Sequence, residues 1–271
     1  MTKKEVAKTG GTGVASYDYG QDAGAGFEGT SGADLSIPFL GILQSNSPQV
    51  EEKDPKGAES GMLFNTVTRE LVGGDEGLAF LPCYKELAYV EWVPRDSGGG
   101  FVGLHLPESD EVKKAIADNG GAKIGRLKIG SNELIETHYV YGLVLDEGGA
   151  ETKGFAVISF TSTKIKPYRD WLTAMYTIKG KPPMFANRAR IRTVRQKNEH
   201  GSFYNFRIDP LNATWVESLI SPTEQGALLD EARDFREMVV SGLAKAAFET
   251  QNVTGDGGVN APSGDAEDAP F

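Results

Sequence analysis

The sequence has very little cysteine and histidine. Cys83 is the one cysteine among 271 residues, so the chain forms no internal disulfide. The three histidines, His105, His138 and His200, are scattered and show no spacing typical of a zinc site. We therefore expect no metal and no other cofactor. The sequence has no phosphate-binding loop and no Gly-x-Ser-x-Gly motif, so it does not indicate an enzyme, although scattered carboxylates could still converge on magnesium in the fold.

Long hydrophobic runs are also absent. No stretch approaches about 18 consecutive apolar residues, so we expect no segment that spans a membrane. The first eleven residues, MTKKEVAKTGG, lack the apolar core of a signal peptide, which predicts a cytoplasmic protein. Apolar residues make up 39% of the chain, and 34 residues are glycine. This composition is typical of one folded body with loose ends.

Composition divides the chain into three regions. Residues 1–33 contain eight glycines and no apolar periodicity, which predicts a disordered arm. Residues 34–251 contain the dense apolar segments, and we expect them to form the body. Residues 252–271 contain no lysine or arginine and little bulk, which predicts a disordered acidic tail.

The apolar periodicity of the body predicts more strand than helix. Residues 133–146 and 153–163 show the clearest strand character, and the DEGGA segment between them predicts a hairpin turn. Over residues 164–179 the apolar positions instead recur every three to four residues, which indicates a helix. We therefore predict a mainly β fold with flanking helices, of the α+β class.

A second helix is predicted near the end of the body, over residues 222–250. Ser221 is expected to cap it, Pro222 to occupy its first position and Glu224 to complete a capping box. One apolar stripe runs along this helix and is expected either to pack against the body or to form a homodimer contact. The stripe consists of Leu228, Ala232, Phe235, Val239 and Leu243.

One stretch of fifty residues has a net positive charge, whereas the long segments on either side of it are net negative. The whole chain has a formal net charge of −10, yet residues 161–210 contain eleven Lys and Arg against three Asp and Glu, a net of +8. The segments before and after this stretch carry net charges of −10 and −8. Seven aromatic residues are interleaved with the basic ones. This combination favours binding to a flexible polyanion with stackable bases, which is single-stranded nucleic acid.

The end of the basic stretch predicts a β-hairpin. Residues 189–196 and 202–209 show strand character, and a four-residue loop at 198–201 has Asn and Gly at its ends. A turn centred in the middle of that loop sets the register of the two strands. The predicted cross-strand pairs are Arg192 with Arg207, Val194 with Asn205, Gln196 with Phe203, Ile191 with Ile208, Thr193 with Phe206 and Arg195 with Tyr204.

The predicted register gives the hairpin one mostly apolar face and one basic face, because strand side chains alternate. The basic face contains Arg190, Arg192, Arg207 and Phe203. Like charges directly opposite each other destabilise a hairpin, so a phosphate backbone lying across Arg192 and Arg207 would explain their placement. The alternative is a solvated face whose arginines splay into water.

The last seven residues form an acidic segment that ends in a large apolar residue. Asp265, Glu267, Asp268, Pro270 and Phe271 carry this pattern. Through this acidic pattern the chain resembles the single-stranded DNA-binding proteins of bacteria and their phages. The acidic C-termini of those proteins end in Pro-Phe or a terminal Phe and recruit replication and repair enzymes. The acids here are fewer, and an alanine stands where the bacterial pattern has a larger apolar residue.

The resemblance implies both a fold and a function. The family's usual scaffold is the OB-fold, a five-stranded Greek-key barrel that binds oligonucleotides on one face, so an OB-fold-like barrel core is expected. The implied function is coating of single-stranded DNA during replication and recombination, with the tail recruiting replication and recombination proteins. The phage proteins are the better resemblance, because the body is longer than the compact bacterial protein and has inserted helices. The implied location is then the host cytoplasm.

The expected mechanism is binding alone, with cations neutralising phosphates and aromatic rings stacking on bases. The phosphate-binding candidates are Lys164, Lys166, Arg169, Arg188, Arg190, Arg192, Arg195 and Arg207. The stacking candidates are Phe203, Trp171 and Tyr204. One alternative is a recombination protein that anneals complementary strands. Another is a structural or virion-associated phage protein whose basic hairpin meets an acidic neighbour.

Overall fold

The computed structural model describes residues 36–251, apart from residues 75, 122–126 and 199–200, together with residues 25–26, 28–29, 34 and 254. Most of the predicted arm and nearly all of the predicted acidic tail lie outside the described residues. The predictions made for those two regions therefore stay predictions.

The described chain is mainly β with a few helices, which confirms the predicted class. The strands are β1 (Ser36–Ile37), β2 (Leu40–Ile42), β3 (Leu63–Asn65), β4 (Leu71–Val72), β5 (Leu78–Val93), β6 (Gly100–His105), β7 (Leu127–Ile129), β8 (Asn132–Leu145), β9 (Thr152–Phe160), β10 (Ala189–Asn198), β11 (Gly201–Pro210) and β12 (Lys245–Ala246). The helices are α1 (Pro48–Glu52), α2 (Asp110–Asp118), α3 (Ile165–Tyr176) and α4 (Gly226–Val240).

Two long antiparallel strands, β5 and β8, organise the main sheet. They pair from Ala79 opposite Leu145 to Trp92 opposite Glu133. On its other edge, β5 pairs with β10 near its start and with β6 near its end. In the same way β8 pairs with β9 at one end and with β7 at the other. The sheet therefore has a five-stranded end, β11-β10-β5-β8-β9, and a four-stranded end, β6-β5-β8-β7.

A proline and a glycine mark an irregular point in the ladder between the long strands. Pro82 lies opposite Gly142, and the register shifts between Pro82 and Tyr84. Proline has no N–H to donate to a ladder, so a bulge is the expected accommodation. A side chain at Gly142 would collide with the Leu81 carbonyl and the Phe80 ring. The close approach of the two backbones therefore requires glycine at this position.

The five-stranded end is covered by one helix on each face, because its strands alternate apolar side chains between the faces. Ala79 and Leu81 of β5 belong to the core under α4, whereas Leu78 and Phe80 belong to the core under α3. Helix α4 contributes Leu228, Ala232 and Phe235 to the first of these cores. From α3 the second core receives Tyr168, Trp171 and Met175.

The helix predicted over residues 222–250 is present but shorter. The Ser221 hydroxyl bonds to Thr223 instead of capping, and the Gln225 N–H donates to the Ser221 carbonyl at 2.8 Å in a turn that precedes α4. At the other end Gly242 adopts a φ of 75°, a conformation that commonly ends helices. The chain then continues as β12, which pairs with β1. The predicted capping box is therefore wrong.

Most of the apolar stripe predicted on α4 packs against the main sheet of the same molecule. Leu228, Ala232 and Phe235 are buried against β5 and β8, as expected if the helix packs on the body. Leu243 lies beyond the end of the helix and is exposed. The first three residues of the stripe are therefore not available for a homodimer contact.

The sheets of the described chain do not close. Among the described strands β11 pairs only with β10 and β7 only with β8, so the main sheet keeps open edges. The remaining strands form a two-stranded sheet, β1-β12, and a three-stranded sheet, β2-β3-β4. The OB-fold-like barrel implied by the resemblance is therefore not shown. No helix within the described ranges is long and apolar enough to cross a membrane.

The burial of Trp171 generates a prediction about stability. Trp171 is 2% exposed, and its ring centroid lies 6.4 Å from that of Phe80 and 6.3 Å from that of Phe160. We expect Trp171→Ala to lower the free energy of unfolding by about 3–5 kcal/mol, because the core cannot fill the cavity. Tyr176→Ala on the same helix removes a ring that is 66% exposed and should cost no more than about 0.5 kcal/mol. Equal urea midpoints for the two variants would contradict the packing of α3.

Candidate nucleic-acid interface

β10 and β11 form the predicted hairpin in the predicted register. Arg192 lies opposite Arg207, and Gln196 lies opposite Phe203. Residues 199–200 of the turn lie outside the described residues. Residues 189–191 of β10 also pair with β5, whereas the rest of β10 has only β11 as a described strand partner. The base of the hairpin is thus part of the main sheet, and the remainder extends past it.

Residues that flank the strands of the three-stranded sheet β2-β3-β4 form hydrogen bonds with one side of the hairpin. Gln44, which follows β2, donates its amide N–H to the Tyr204 carbonyl at 2.9 Å and accepts the Tyr204 N–H at 2.8 Å. Thr193 donates its hydroxyl to the Gly61 carbonyl. The Tyr204 ring lies so close to Gly61 that a side chain there would collide with it. Tyr204 therefore packs within the protein, and one face of its ring is not available for a base.

The protein itself neutralises the two facing arginines. Arg207 Nε lies 2.9 Å from Asp209 Oδ2, and Arg192 Nη1 lies 3.3 Å from the same oxygen. Arg192 Nε also donates to the Glu76 carbonyl at 3.0 Å, and its Nη2 lies 3.7 Å from the Glu76 carboxylate. Bound phosphate is therefore not required to explain why two arginines face each other.

Two further candidate arginines link the base of the hairpin to neighbouring loops. Arg188 is buried and donates to the carbonyls of Gly149 at 2.9 Å, Ser218 at 3.1 Å and Leu219 at 3.3 Å. Burial lowers the pKa of its guanidinium below the ordinary value. Arg190 donates to the Glu147 carbonyl at 2.9 Å. Both arginines thus hold loops in place, and Arg188 is removed from the surface.

The candidates on and before α3 have local contacts. Lys164 is buried, and its ammonium lies 5.6 Å from the centroid of the Phe206 ring. Lys166 pairs with Asp170 at 2.7 Å, and Arg169 lies 4.0 Å from Glu136. Both of these cations are exposed. The burial of Trp171 in the core corrects its assignment as a stacking residue, because its ring has no accessible face.

The far part of the hairpin carries two cations that pair with none of the residues described by the structure. We call residues 194–198 and 201–205 the hairpin tip. Arg195 and Lys197 lie there, both exposed and on one face of β10 because they are two residues apart. No described residue forms an ion pair or a hydrogen bond with either side chain. Lys197 was missed as a candidate from the sequence, although its spacing of two from Arg195 on a strand could have identified it.

The opposite face of the hairpin tip carries the remaining aromatic candidate. Phe203 is half-buried and lies across from Gln196. The Gln196 side-chain oxygen accepts a hydrogen bond from Asn205 Nδ2 at 3.1 Å. Val194 on this face is also exposed. The hairpin tip therefore has two exposed cations on one face and a ring with neighbouring amides on the other.

The two described histidines form local pairs with carboxylates. His105 Nε2 lies 2.8 Å from Glu91, and His138 Nε2 lies 2.8 Å from Glu136. The His138 ring also stacks on Tyr168, with centroids 4.5 Å apart. Within the described part of the chain, no group of three or more His, Cys, Asp or Glu residues is placed to hold a metal ion.

Comparison with known proteins identifies the family. The model of the family described as Pam3 phage gp34-like protein matches residues 7–245, which is most of the chain. The chain therefore belongs to this family, whose description points to a bacteriophage. No curated protein and no solved structure matches the chain.

Arg188 is buried and hydrogen-bonded, whereas Arg195 is exposed, and this difference can be tested by measuring the stability of variants. Arg188→Ala removes the guanidinium hydrogen bonds to the carbonyls of Gly149, Ser218 and Leu219, so we expect the free energy of unfolding to fall by about 1–3 kcal/mol. Arg195→Ala should change it by less than about 0.5 kcal/mol, because the side chain is exposed and has no described partner. Chemical denaturation of both variants measures the difference. A loss of stability for Arg195→Ala as large as that for Arg188→Ala would contradict the division into structural and free cations.

Proposed function

We propose that this member of the Pam3 phage gp34-like family binds single-stranded DNA during phage DNA replication or recombination, and that it does so without catalysis. The observation that carries the proposal is the hairpin tip, where Arg195 and Lys197 are exposed and have no described partner. Phosphates can therefore approach these cations without displacing any of the carboxylates that the structure describes. Their neutralisation releases counterions, which is the main source of affinity for a polyanion.

The remaining basic candidates contribute less directly in this proposal. A phosphate at Arg192 or Arg207 must compete with Asp209, which contacts both. Lys166 is likewise paired with Asp170, although both are exposed and such surface pairs are weak. These cations supply a positive field around the hairpin rather than the first contacts. The hairpin tip is therefore the centre of the proposed site.

The shape of the hairpin tip suits a flexible strand. A two-stranded ribbon is narrow, since neighbouring strands lie about 4.8 Å apart. A single strand of DNA can therefore reach the cations on one face and Phe203 on the other. Base stacking on an aromatic ring contributes roughly 1–3 kcal/mol and tolerates any sequence. Sequence-independent binding in this geometry requires no OB-fold barrel.

The acidic tail is the proposed contact for replication and recombination proteins. Its residues for this role are Asp265, Glu267, Asp268, Pro270 and Phe271, all outside the described residues. Thr254 is the last residue that the structure describes, and its carbonyl accepts the hydroxyl of Ser47. Ser47 in turn accepts the N–H of Gln44, whose side chain holds Tyr204. The tail thus starts close to the hairpin, so a partner bound to it would be held near the DNA.

The double variant Arg195→Ala/Lys197→Ala tests the proposed site. We expect it to bind a labelled dT oligonucleotide more weakly than the intact chain in fluorescence anisotropy. The slope of log K against log salt should shrink by about 1.4, since each cation contributes roughly 0.7 on single strands. The matched control is Lys113→Ala/Lys114→Ala, which removes the same charge from α2 at the other end of the long strands.

Either of two outcomes would contradict the proposal. If the control pair lost as much affinity and slope as the hairpin pair, binding would depend on net charge and not on this site. If the intact chain failed to bind at low salt, the structural or virion-associated alternative would take its place. An annealing assay with complementary strands separates simple coating from the recombination alternative.

A separate measurement tests the proposed stacking residue. We expect Phe203→Ala to weaken binding by roughly 1–3 kcal/mol while leaving the salt slope unchanged, because a ring releases no counterions. Tyr176→Ala is the matched control, since it removes an exposed aromatic ring from α3. An unchanged affinity for Phe203→Ala would remove this residue from the site.

A further inference from the structure

A cavity of about 530 Å³ opens between α4 and the neighbouring strands β1, β8 and β9. Its floor is apolar and includes Ile37, Leu143, Phe155 and Phe235. The rings of Phe155 and Phe235 stack with centroids 5.7 Å apart. The volume lies within the range of about 300–1,000 Å³ that is usual for ligand sites. The cavity is therefore large enough for a few side chains of a peptide.

The α4 side of this cavity is acidic. Ala227, Asp230, Glu231, Asp234 and Met238 line it. Their spacing of three and four residues places them on one face of the helix. Carboxylates beside an apolar cavity favour an occupant that combines an apolar group with positive charge.

The three acids differ in what they already contact. Asp230 pairs with Arg233 at 2.6 Å. Glu231 accepts a hydrogen bond from the Thr152 hydroxyl at 2.8 Å and has no described cation partner. Asp234 forms no ion pair or hydrogen bond with any described residue. Glu231 and Asp234 thus line the cavity as carboxylates that no described cation pairs with.

A segment near the N-terminus has the complementary chemistry. Residues 3–8, KKEVAK, carry three lysines, and these are the only basic residues before Lys53. The segment has a net charge of +2, with Val6 among the lysines. The chain enters the body through β1, whose Ile37 is part of the cavity floor. The polypeptide that leads back to residues 3–8 therefore starts beside the cavity.

We propose that residues 3–8 dock in this cavity within the same molecule, with Val6 on the apolar floor and the lysines at Glu231 and Asp234. The 27 residues from 9 to 35 could span up to roughly 90 Å if fully extended, so they are long enough to reach a cavity beside Ser36. The linkage gives the segment an effective concentration in roughly the millimolar range, which favours docking in the same molecule over docking in a second copy. This docking involves neither the hairpin tip nor nucleic acid.

Disulfide trapping in the full chain tests the proposal. The variant Val6→Cys/Ala227→Cys places one thiol in the segment and one at an exposed position that lines the cavity. The matched control is Val6→Cys/Val240→Cys, because Val240 is exposed on the same helix but does not line the cavity. Cys83 will not compete, since burial raises the pKa of its thiol to about 12 and keeps it protonated at pH 8.

We expect the intramolecular disulfide to form roughly tenfold faster for the Ala227 pair than for the Val240 pair, as local docking raises the effective concentration. Lys3→Glu/Lys4→Glu/Lys8→Glu should abolish this preference. Adding Glu231→Lys/Asp234→Lys should restore it by exchanging the charges. The pair Val6→Cys/Met238→Cys is a second test at the other end of the cavity.

Two results would overturn the inference. Equal rates for the cavity pairs and the Val240 pair would mean that the segment does not dock there. A disulfide-linked dimer in place of the intramolecular product would make a second copy of the chain the occupant. Circular dichroism on each variant confirms that the comparison is made between folded proteins.

Discussion

The pairing of β5 with β8 is the interaction on which the rest of the structure depends. The two strands are long enough to serve different partners at their two ends, so one ladder supports both ends of the sheet. Both large cores lie against it, one under α3 and one under α4. The basic hairpin is attached to it through residues 78–80 of β5. Loss of this ladder would therefore remove the support of the hairpin, both helices and the acidic cavity together.

The basic stretch serves the fold and the proposed site at the same time. Arg188 and Arg190 hold loops through backbone carbonyls, and Arg192 shares Asp209 with Arg207. Charge counting treats all of these side chains alike, whereas the structure separates them by what they contact. Arg195 is free of such contacts among the described residues, because the hairpin has passed the edge of the main sheet at that point. Function is therefore proposed for exposed cations of the hairpin that no described residue contacts by an ion pair or a hydrogen bond.

Charge complementarity also organises the second proposed contact. The acids of α4 lie beside an apolar cavity, and the lysines of residues 3–8 have no other basic residue near them in the sequence. In a protein with a net charge of −10, the two proposed binding sites thus carry opposite charge, positive at the hairpin tip and negative at the mouth of the cavity. The match to the family model assigns neither contact, so the first is argued from the described hairpin and the second from the described cavity together with the sequence of residues 3–8.

The sequence by itself determined the features that depend on neighbours along the chain. The register of the hairpin followed from strand alternation and the length of one loop, and the mainly β class followed from periodicity. Only the tertiary structure decided which side chains are free. Trp171 packs in the core against Phe80 of β5, far earlier in the chain, and Arg192 is neutralised partly by Glu76, over a hundred residues away. Such partners leave no local pattern, so burial and pairing are settled only when the chain has folded.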